Sequence, residues 1–295
     1  MEPSAVSDEF ASRHFVDVGR ARICYRKAGK GPALVLLHGF PLSGLTWRKV
    51  VPKLSKRFTC YALDLMGLGD STSPDAADFS SQGQAAAFQR ALSAQNVPSY
   101  ALIGNDTGGW IARELALLEP ARVTHLVLMN TEIPGHRPPW IPLYQRLVRL
   151  PGSSFVLQRM LASRQVCRSA MGFRGCFENL DLIDGEFREL FLSPILSSRD
   201  RLASMFQFLM QMKFERLDRF RELHGKLSMP VAFVWAAADP TFPEETARAM
   251  ASQFPNVAHF WSIPKGKLFV QEERPEAVTE LVIKFLTGIA EPQKS

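Results

Sequence analysis

An aspartate in a glycine-rich turn, Asp106, is the residue of this sequence best suited to chemistry. It lies in Gly-Asn-Asp-Thr-Gly-Gly at residues 104–109, between an apolar run at residues 100–103 and a helical pattern at residues 110–118. Small residues on both sides let the backbone turn sharply and present the apex side chain beside a helix N-terminus. A carboxylate there can attack carbon and leave an ester on the enzyme. The alternative is a glycine-rich turn that merely contains aspartate.

The composition is that of an ordinary soluble globular protein. The chain has 295 residues, of which 46% are hydrophobic and 22% are charged, so it can bury a large core. Its formal net charge is +6, but no long run of lysine and arginine is present. We therefore expect no nucleic-acid partner, and the positive charge is compatible with an anionic substrate.

Cysteine usage and apolar segments indicate a cytoplasmic protein. The four cysteines are scattered without any C-x-x-C spacing, which predicts free thiols in a reducing compartment. The N-terminal segment MEPSAVSDEF carries three acids, Glu2, Asp8 and Glu9, before any apolar run, unlike a signal peptide. Every apolar run is too short to cross a bilayer. We expect no membrane partner.

Apolar segments alternate with helical patterns through the first and last parts of the chain. Residues 14–25 alternate apolar and polar around Gly19 and predict a hairpin, and a helix is predicted over residues 45–54. Apolar runs predict strands at residues 33–37, 100–103 and 123–129, and further strands are predicted at residues 58–62, 231–236 and 257–263. This rhythm predicts an α/β fold with a doubly wound, mainly parallel sheet. Phe40, Asp106 and Asn130 would meet at the carboxyl ends of its strands.

The middle of the chain has a different pattern. From residue 133 to residue 227 no strand pattern occurs, and a proline-rich start leads into several helical stretches. We interpret residues 1–132 and 228–295 as the core domain and residues 133–227 as a helical cap over the strand ends. The cap holds many of the arginines, which we read as a solvated helix face rather than an anion funnel.

Five ordered segments carry a family resemblance: HGFP, DLMGLGDS, GNDTGG, VWAAADPTFP and GKLFVQEERPE. Together they resemble the α/β-hydrolase fold over nearly the whole chain. Within that fold, an aspartate at the nucleophile position is typical of haloalkane dehalogenases, fluoroacetate dehalogenases and soluble epoxide hydrolases, and this chain resembles that branch. The resemblance implies Asp106 as nucleophile, the backbone N–H groups of Phe40 and Thr107 as anion donors, and Asp239 as the acid that orients the base.

The base of that family is histidine, and this chain has lysine in its place. The tail of the family usually reads Gly-His, whereas the matching pair here is Gly266-Lys267. An unperturbed lysine titrates near about 10.4, and imidazole suits proton transfer near neutral pH far better. If Lys267 lies between Asp106 and Asp239, the two carboxylates should hold its proton more firmly, against the opposite effect of burial.

Three interpretations of Lys267 remain open at this stage. The site has diverged and has altered chemistry, or it is a catalytically inactive ligand-binding relative, or the base lies elsewhere, with Lys265 and Gln271 as nearby candidates. Glu132 is a further acid near a strand end, but it would titrate too low for a base unless it is well buried.

The second signatures of the three subfamilies are missing. Haloalkane dehalogenases of this type usually have tryptophan directly after the nucleophile and fluoroacetate dehalogenases have arginine, whereas this chain has Thr107. Epoxide hydrolases typically use two cap tyrosines, and the predicted cap offers only Tyr144. Trp110 and Trp140 are candidate pocket residues, with core packing as the alternative.

These observations lead to one expected function. The chain should be a cofactor-free enzyme without a metal that acts on a small, mostly apolar electrophile such as an alkyl halide, an epoxide or an activated ester. Asp106, Asp239 and Lys267 are its expected catalytic residues, and it should be a monomer or a homodimer. The alternatives are a non-catalytic ligand-binding relative, or a non-hydrolytic lyase or cyclase on the same fold.

Overall fold

Eight strands form one sheet in the computed structural model, which describes residues 8–73 and 77–288. The strand order is β1-β2-β4-β3-β5-β6-β7-β8. Strand β2 is antiparallel to both of its neighbours, and every other neighbouring pair is parallel, so the predicted mainly parallel α/β sheet is confirmed. The strands are β1 His14–Val18, β2 Ala21–Ala28, β3 Ala33–Leu37, β4 Thr59–Leu63, β5 Tyr100–Asn105, β6 Val123–Met129, β7 Val231–Ala236 and β8 Val257–Ile263.

Helices connect these strands and fill the long segment between β6 and β7. Within the described residues none of them is long and apolar enough to cross a membrane. The α-helices are α1 Asp8–Ala11, α2 Val51–Leu54, α3 Ser81–Ala94, α4 Thr107–Leu118, α5 Trp140–Val148, α6 Ser153–Ala162, α7 Arg164–Cys167, α8 Asp181–Asp184, α9 Ser193–Leu196, α10 Arg199–Gln211, α11 Phe214–Asp218, α12 Phe220–Leu223, α13 Glu244–Ala251, α14 Val270–Glu273 and α15 Pro275–Thr287. Short 3-10 helices occupy Gly44–Trp47 and His224–Lys226, and a π-helix occupies Arg188–Leu192.

The central strands of the sheet are buried on both faces, whereas the edge strand β8 is half-buried or exposed up to its last residue, Ile263. Along β3, Leu34 and Leu36 belong to one apolar cluster, and Val35 and Leu37 belong to the other. Successive side chains of a strand point to opposite faces, so a strand covered on both sides must be apolar throughout. The continuous apolar runs of the sequence therefore gave correct strands.

One predicted helix is interrupted. The pattern over residues 45–54 suggested a single helix, but the structure has a 3-10 helix at Gly44–Trp47 and a separate helix α2 at Val51–Leu54. Pro52 lies in the first turn of α2 and has no N–H to donate to a preceding turn. Proline is tolerated there because the first N–H groups of a helix lack helical partners in any case.

The segment between β6 and β7 is helical throughout its ordered elements, from α5 to the 3-10 helix at His224–Lys226. It packs on the core through aromatic rings: Phe177 lies edge-on to Phe269, which immediately precedes α14, with ring centroids 5.5 Å apart. This arrangement fits the cap interpretation. The exact division at residues 132 and 227 stays a prediction.

A buried arginine joins three parts of the chain. The Arg48 guanidinium, which follows the first 3-10 helix, lies 2.6 Å from Glu272 Oε1 of α14 and 2.5 Å from Glu186 Oε2 of the inserted segment. The Arg48 and Glu272 side chains are almost fully buried, whereas Glu186 is partly exposed. A buried carboxylate depends on its cation, since few water molecules replace a lost partner.

Replacing Arg48 with alanine should therefore destabilise the protein strongly. We expect Arg48→Ala to lower the free energy of unfolding by about 3 kcal/mol or more, because Glu272 keeps only the neighbouring Lys49 as a cation. Arg248→Ala, which breaks an exposed pair with Glu244, is the matched control and should cost less than about 1 kcal/mol. Urea denaturation of both variants measures the difference, and equal losses would contradict the assignment.

Candidate active site

Asp106 occupies a strained turn between β5 and α4. Its backbone has φ 51° and ψ −135°, a conformation that non-glycine residues rarely adopt. The turn is possible because glycines surround it: a Cβ atom on Gly108 would lie 2.2 Å from the Leu37 carbonyl oxygen, and one on Gly39 would lie 2.5 Å from Asp106 Oδ2. Strain of this kind persists where the surrounding structure fixes it, and it is concentrated at functional sites.

Backbone donors face the Asp106 carboxyl group. The Phe40 N–H donates to Asp106 Oδ2 over 2.9 Å, and the Thr107 backbone N–H is a second donor. These bonds favour the charged form, but burial and the nearby Glu132 carboxyl group have the larger effect and raise the pKa of Asp106 well above its usual value. The two carboxyl groups therefore titrate as one coupled pair.

Glu132 is the residue whose importance the sequence did not reveal. It follows β6 by three residues, is buried, and lines the same cavity as Asp106. The Thr107 hydroxyl donates to Glu132 Oε1 over 2.9 Å, and Thr131 Oγ1 lies 3.0 Å from Oε2. Burial raises the pKa of Glu132, although the Arg113 guanidinium opposes this. The position after an apolar strand was the available signal, but burial was not readable from the sequence.

Asp239 lies at the end of the next strand and is held by neutral donors. Asn130 Nδ2 donates to Asp239 Oδ2 over 2.9 Å, and the Thr241 N–H donates to Oδ1 over 2.8 Å. Asn130 Oδ1 also accepts the Ala236 N–H of β7. Burial raises the pKa of Asp239 to about 7, so the carboxyl group titrates near neutrality.

Lys267 does not form the ion pair considered from the sequence. Its ammonium group donates to the Arg174 carbonyl oxygen over 3.0 Å, at an exposed position, and its backbone N–H faces Glu273. Across residues 8–73 and 77–288, the ion pairs of the structure include none between Lys267 and Asp106 or Asp239. The physical reason is hydration: a long, flexible stem lets the ammonium reach the surface instead of entering a dry carboxylate site.

An apolar cavity of about 200 Å³ opens onto Asp106. Core residues at its base are Phe40, Asp106, Thr107 and Glu132, and the inserted helices contribute mainly apolar side chains such as Leu157, Met160, Met205, Phe206 and Leu209. A concave, largely apolar space with a few polar groups on one side is typical of a small-molecule site.

Four of the six predicted substrate-binding residues line this cavity: Phe40, Thr107, Trp140 and Tyr144. Trp110 does not, because it is 1% exposed and packs against Phe214 in the core, with ring centroids 6.2 Å apart. Asn130 does not line it either, since its side chain is fully engaged between Asp239 and β7. For both residues the structure corrects the expected placement.

A thiol also borders the cavity. Cys176 lines it, is half-buried and lies near Asp106 and Asp239, and desolvation together with these carboxyl groups raises the pKa of the thiol well above its usual value. The thiol therefore stays protonated and is a poor nucleophile. No sequence pattern marked this residue, because the irregular segment before α8 has no motif of its own.

The cavity is not lined by a group of metal ligands in the part of the chain that the structure describes. The one group there with suitable spacing is Cys24, Asp64 and Asp70, and none of the three lines the cavity. The Arg26 guanidinium lies 3.7 Å from Asp64 and 3.2 Å from Asp70, and Arg201 lies 2.8 Å from Asp70, so two cations already balance these two acids.

Comparison with known proteins agrees with this architecture. The family model described as the alpha/beta hydrolase fold matches residues 32–275, and the chain therefore belongs to the α/β-hydrolase fold family. The match spans the strands that hold Asp106, Glu132 and Asp239.

Individual relatives are distant. The chain is 24% identical over 278 residues to haloalkane dehalogenase 2 of Mycobacterium bovis, covering 93% of this chain and 94% of the relative. It is 34% identical over 122 residues to the fluoroacetate dehalogenase of a Burkholderia species, covering 40% of each chain. The solved structure of the epoxide hydrolase CorEH without ligand superposes with a TM-score of 0.76 at 23% identity, covering 95% of this chain and 99% of that one.

The raised pKa of Asp239 predicts a pH-dependent stability. The carboxyl group binds its proton up to about pH 7 in the folded protein, but only up to about 3.8 when unfolded, so the folded state binds more protons between these values. The free energy of unfolding should therefore fall as the pH rises through this window, by roughly 4 kcal/mol.

The variant Asp239→Asn should show a smaller decline, because an amide does not ionise and the remaining decline comes from the raised pKa values of Asp106 and Glu132. Urea denaturation across the window checks the result. Asp200→Asn, at an exposed position, should follow the wild type in parallel. A wild-type curve parallel to that of Asp239→Asn would contradict the assignment.

Proposed function

We propose that the protein hydrolyses a small, mostly apolar electrophile through an ester formed on Asp106. The observation that carries this proposal is the position of the Asp106 carboxyl group, at the apex of a strained turn, on the border of an apolar cavity, with the Phe40 N–H 2.9 Å from its Oδ2. A carboxylate in a dry pocket is poorly solvated and attacks an electrophilic carbon readily.

The backbone donors suit the second half of such a reaction. When water adds to the ester carbonyl, negative charge develops on the carbonyl oxygen of the former carboxylate. The Phe40 and Thr107 N–H groups already face this carboxyl group, so they stabilise that charge without rearrangement.

The character of the cavity limits the substrate. Its inserted-segment wall is apolar, and Tyr144 and Trp140 supply its larger polar-tipped side chains. A charged or strongly hydrated molecule would lose water without gaining partners there. Alkyl halides, epoxides and activated esters fit, and the printed names haloalkane dehalogenase and epoxide hydrolase support this range. Fluoroacetate, in the printed name of a third relative, is an anion and lies outside it.

Lys267 occupies the position where the resemblance implies histidine. We propose that the chemistry of the site is altered because it lacks that imidazole. With its ammonium group bonded to the Arg174 carbonyl oxygen, Lys267 does not activate water beside Asp106. Catalysis then depends on another group, or it is slow. A non-catalytic ligand-binding protein and a non-hydrolytic lyase or cyclase remain the competing functions.

Removing the nucleophile tests the proposal. Intact-mass measurement should detect an adduct on the wild type after incubation with an epoxide, an alkyl halide or an activated ester. The isosteric variant Asp106→Asn should form none and should lose product formation, because an amide does not attack carbon. The absence of adduct and product across the whole panel in the wild type would contradict the proposal.

The same variant separates the alternatives. For a binding protein, Asp106→Asn would leave ligand affinity nearly unchanged and the wild type would release no product. A lyase or cyclase would release a product that contains no oxygen from water, which mass spectrometry in ¹⁸O-labelled water detects. For the proposed hydrolase, the label enters the Asp106 carboxyl group and then the product.

Replacing Lys267 measures its part in the reaction. Because its ammonium group points to an exposed carbonyl, Lys267→Met should change turnover by less than about tenfold. Arg174 contributes only its backbone to this bond, so Arg174→Ala is the matched control. A loss of about 10² or more in Lys267→Met alone would show that the lysine acts as an acid or base.

A further inference from the structure

The hydrogen bonds around Glu132 leave a place for a proton on its carboxyl group. The Thr131 hydroxyl lies 2.8 Å from the Asp106 carbonyl oxygen and 3.0 Å from Glu132 Oε2, but it has one hydrogen to donate. When that hydrogen is directed to the closer Asp106 oxygen, the contact between Thr131 Oγ1 and Glu132 Oε2 joins two oxygens. It becomes a hydrogen bond only if Glu132 carries the proton.

The charge balance of the buried site also indicates that the Asp106–Glu132 pair holds one proton. Arg113 is fully buried, donates to the Glu132 carbonyl oxygen over 2.7 Å, and is the cation that faces Glu132 from α4. Burial lowers the pKa of Arg113 to about 10, so it stays charged at neutral pH. If Asp106 and Glu132 share one proton, the pair carries one negative charge, which the Arg113 guanidinium balances. If both were ionised, one of the two charges would lack a counter-ion, and Asp239 would add further repulsion.

Other acidic hydrogens at the cavity are already engaged or weak. The Tyr144 hydroxyl donates to the Met171 carbonyl oxygen, and the Cys167 thiol lies 3.2 Å from the Leu161 carbonyl oxygen. The Cys176 thiol holds its proton tightly because burial raises its pKa. The Thr107 hydroxyl donates to Glu132 itself. Glu132 is thus the cavity-lining group in the described residues best able to give up a proton.

Building on the function proposed above, we propose that the substrate is an epoxide and that Glu132 is its proton donor and acceptor. The Glu132 carboxylic acid protonates the oxygen of the opening ring, and the resulting carboxylate then accepts a proton from the attacking water.

The proton count closes over one turnover. The Asp106 carboxylate forms a bond to an epoxide carbon, the carbon–oxygen bond of the ring breaks, and the released oxygen takes the proton of Glu132. Water then adds to the ester carbonyl and gives a proton to the Glu132 carboxylate. When the ester breaks, that proton goes to the departing diol oxygen, and the second water proton stays on the Asp106–Glu132 pair. The net reaction is epoxide plus water to diol, and the pair again holds one proton.

An alkyl halide would not use the Glu132 proton in the same way as an epoxide. Halide leaves with the bonding electrons and needs no proton, so Glu132 remains a carboxylic acid after Asp106 is alkylated. It must first release its proton to solvent before it can act as a base. We therefore expect the ester formed from a halide to break down more slowly than the ester formed from an epoxide.

The experiment compares styrene oxide with phenethyl bromide, which has the same carbon skeleton, on the wild type and on the isosteric variant Glu132→Gln. Intact-mass measurement follows the ester, and chromatography follows the product. With styrene oxide, the variant should lose turnover by about 10² to 10⁴, because an amide does not protonate the ring oxygen. With phenethyl bromide, the variant should still be alkylated, and its ester should persist because the base is missing.

The outcomes separate this inference from the proposed function. If neither substrate labels the wild type and neither gives product, the ester mechanism itself fails. If the bromide ester of Glu132→Gln breaks down at the wild-type rate, or if the variant opens styrene oxide normally, the ester mechanism stands and the role of Glu132 is wrong.

Two further variants separate a loss of catalysis from a folding defect. Glu215→Gln makes the same chemical change at an exposed position and should leave both reactions unchanged. If Glu132→Gln does not fold, Glu132→Asp withdraws the carboxyl group by one methylene and should still slow the breakdown of the ester. An unchanged rate in Glu132→Asp would contradict the proposal.

Discussion

The burial of carboxyl groups at the carboxyl ends of neighbouring parallel strands is the constraint on which the site depends. Asp106, Glu132 and Asp239 follow β5, β6 and β7, and their exposed fractions are 8%, 1% and 4%. Water solvates none of them well, so each relies on protein donors or keeps its proton. The raised pKa values of all three groups follow from this single condition.

The strained turn and the inserted helices maintain that condition together. The turn fixes Asp106 against the Phe40 N–H, and glycines on both sides allow backbone atoms to approach closely enough to hold it there. The inserted helices cover the strand ends with apolar side chains, which keeps the local dielectric low. In such surroundings the charge state of each carboxyl group depends on the charge state of its neighbours.

Membership of the α/β-hydrolase fold family defines the scaffold but not the chemistry, because one fold supports many reactions. The distinguishing feature of this chain is the set of groups around Asp106. At the position of Lys267 it presents an ammonium group bonded to a surface carbonyl, while Glu132 lies in the cavity with Asp106. Proton transfer in this site therefore has to be considered through carboxyl groups rather than through imidazole.

The sequence by itself determined the strands of the sheet and the turn that carries Asp106, because apolar runs, glycines and turn residues act locally. The strands at Val123–Met129, Val231–Ala236 and Val257–Ile263 were predicted to the residue. Tertiary structure decided which side chains meet: Trp110 and Asn130 pack away from the cavity, Lys267 turns outward, and Glu132 is buried. Burial and charge coupling arise from contacts between segments distant in sequence, so local patterns do not encode them.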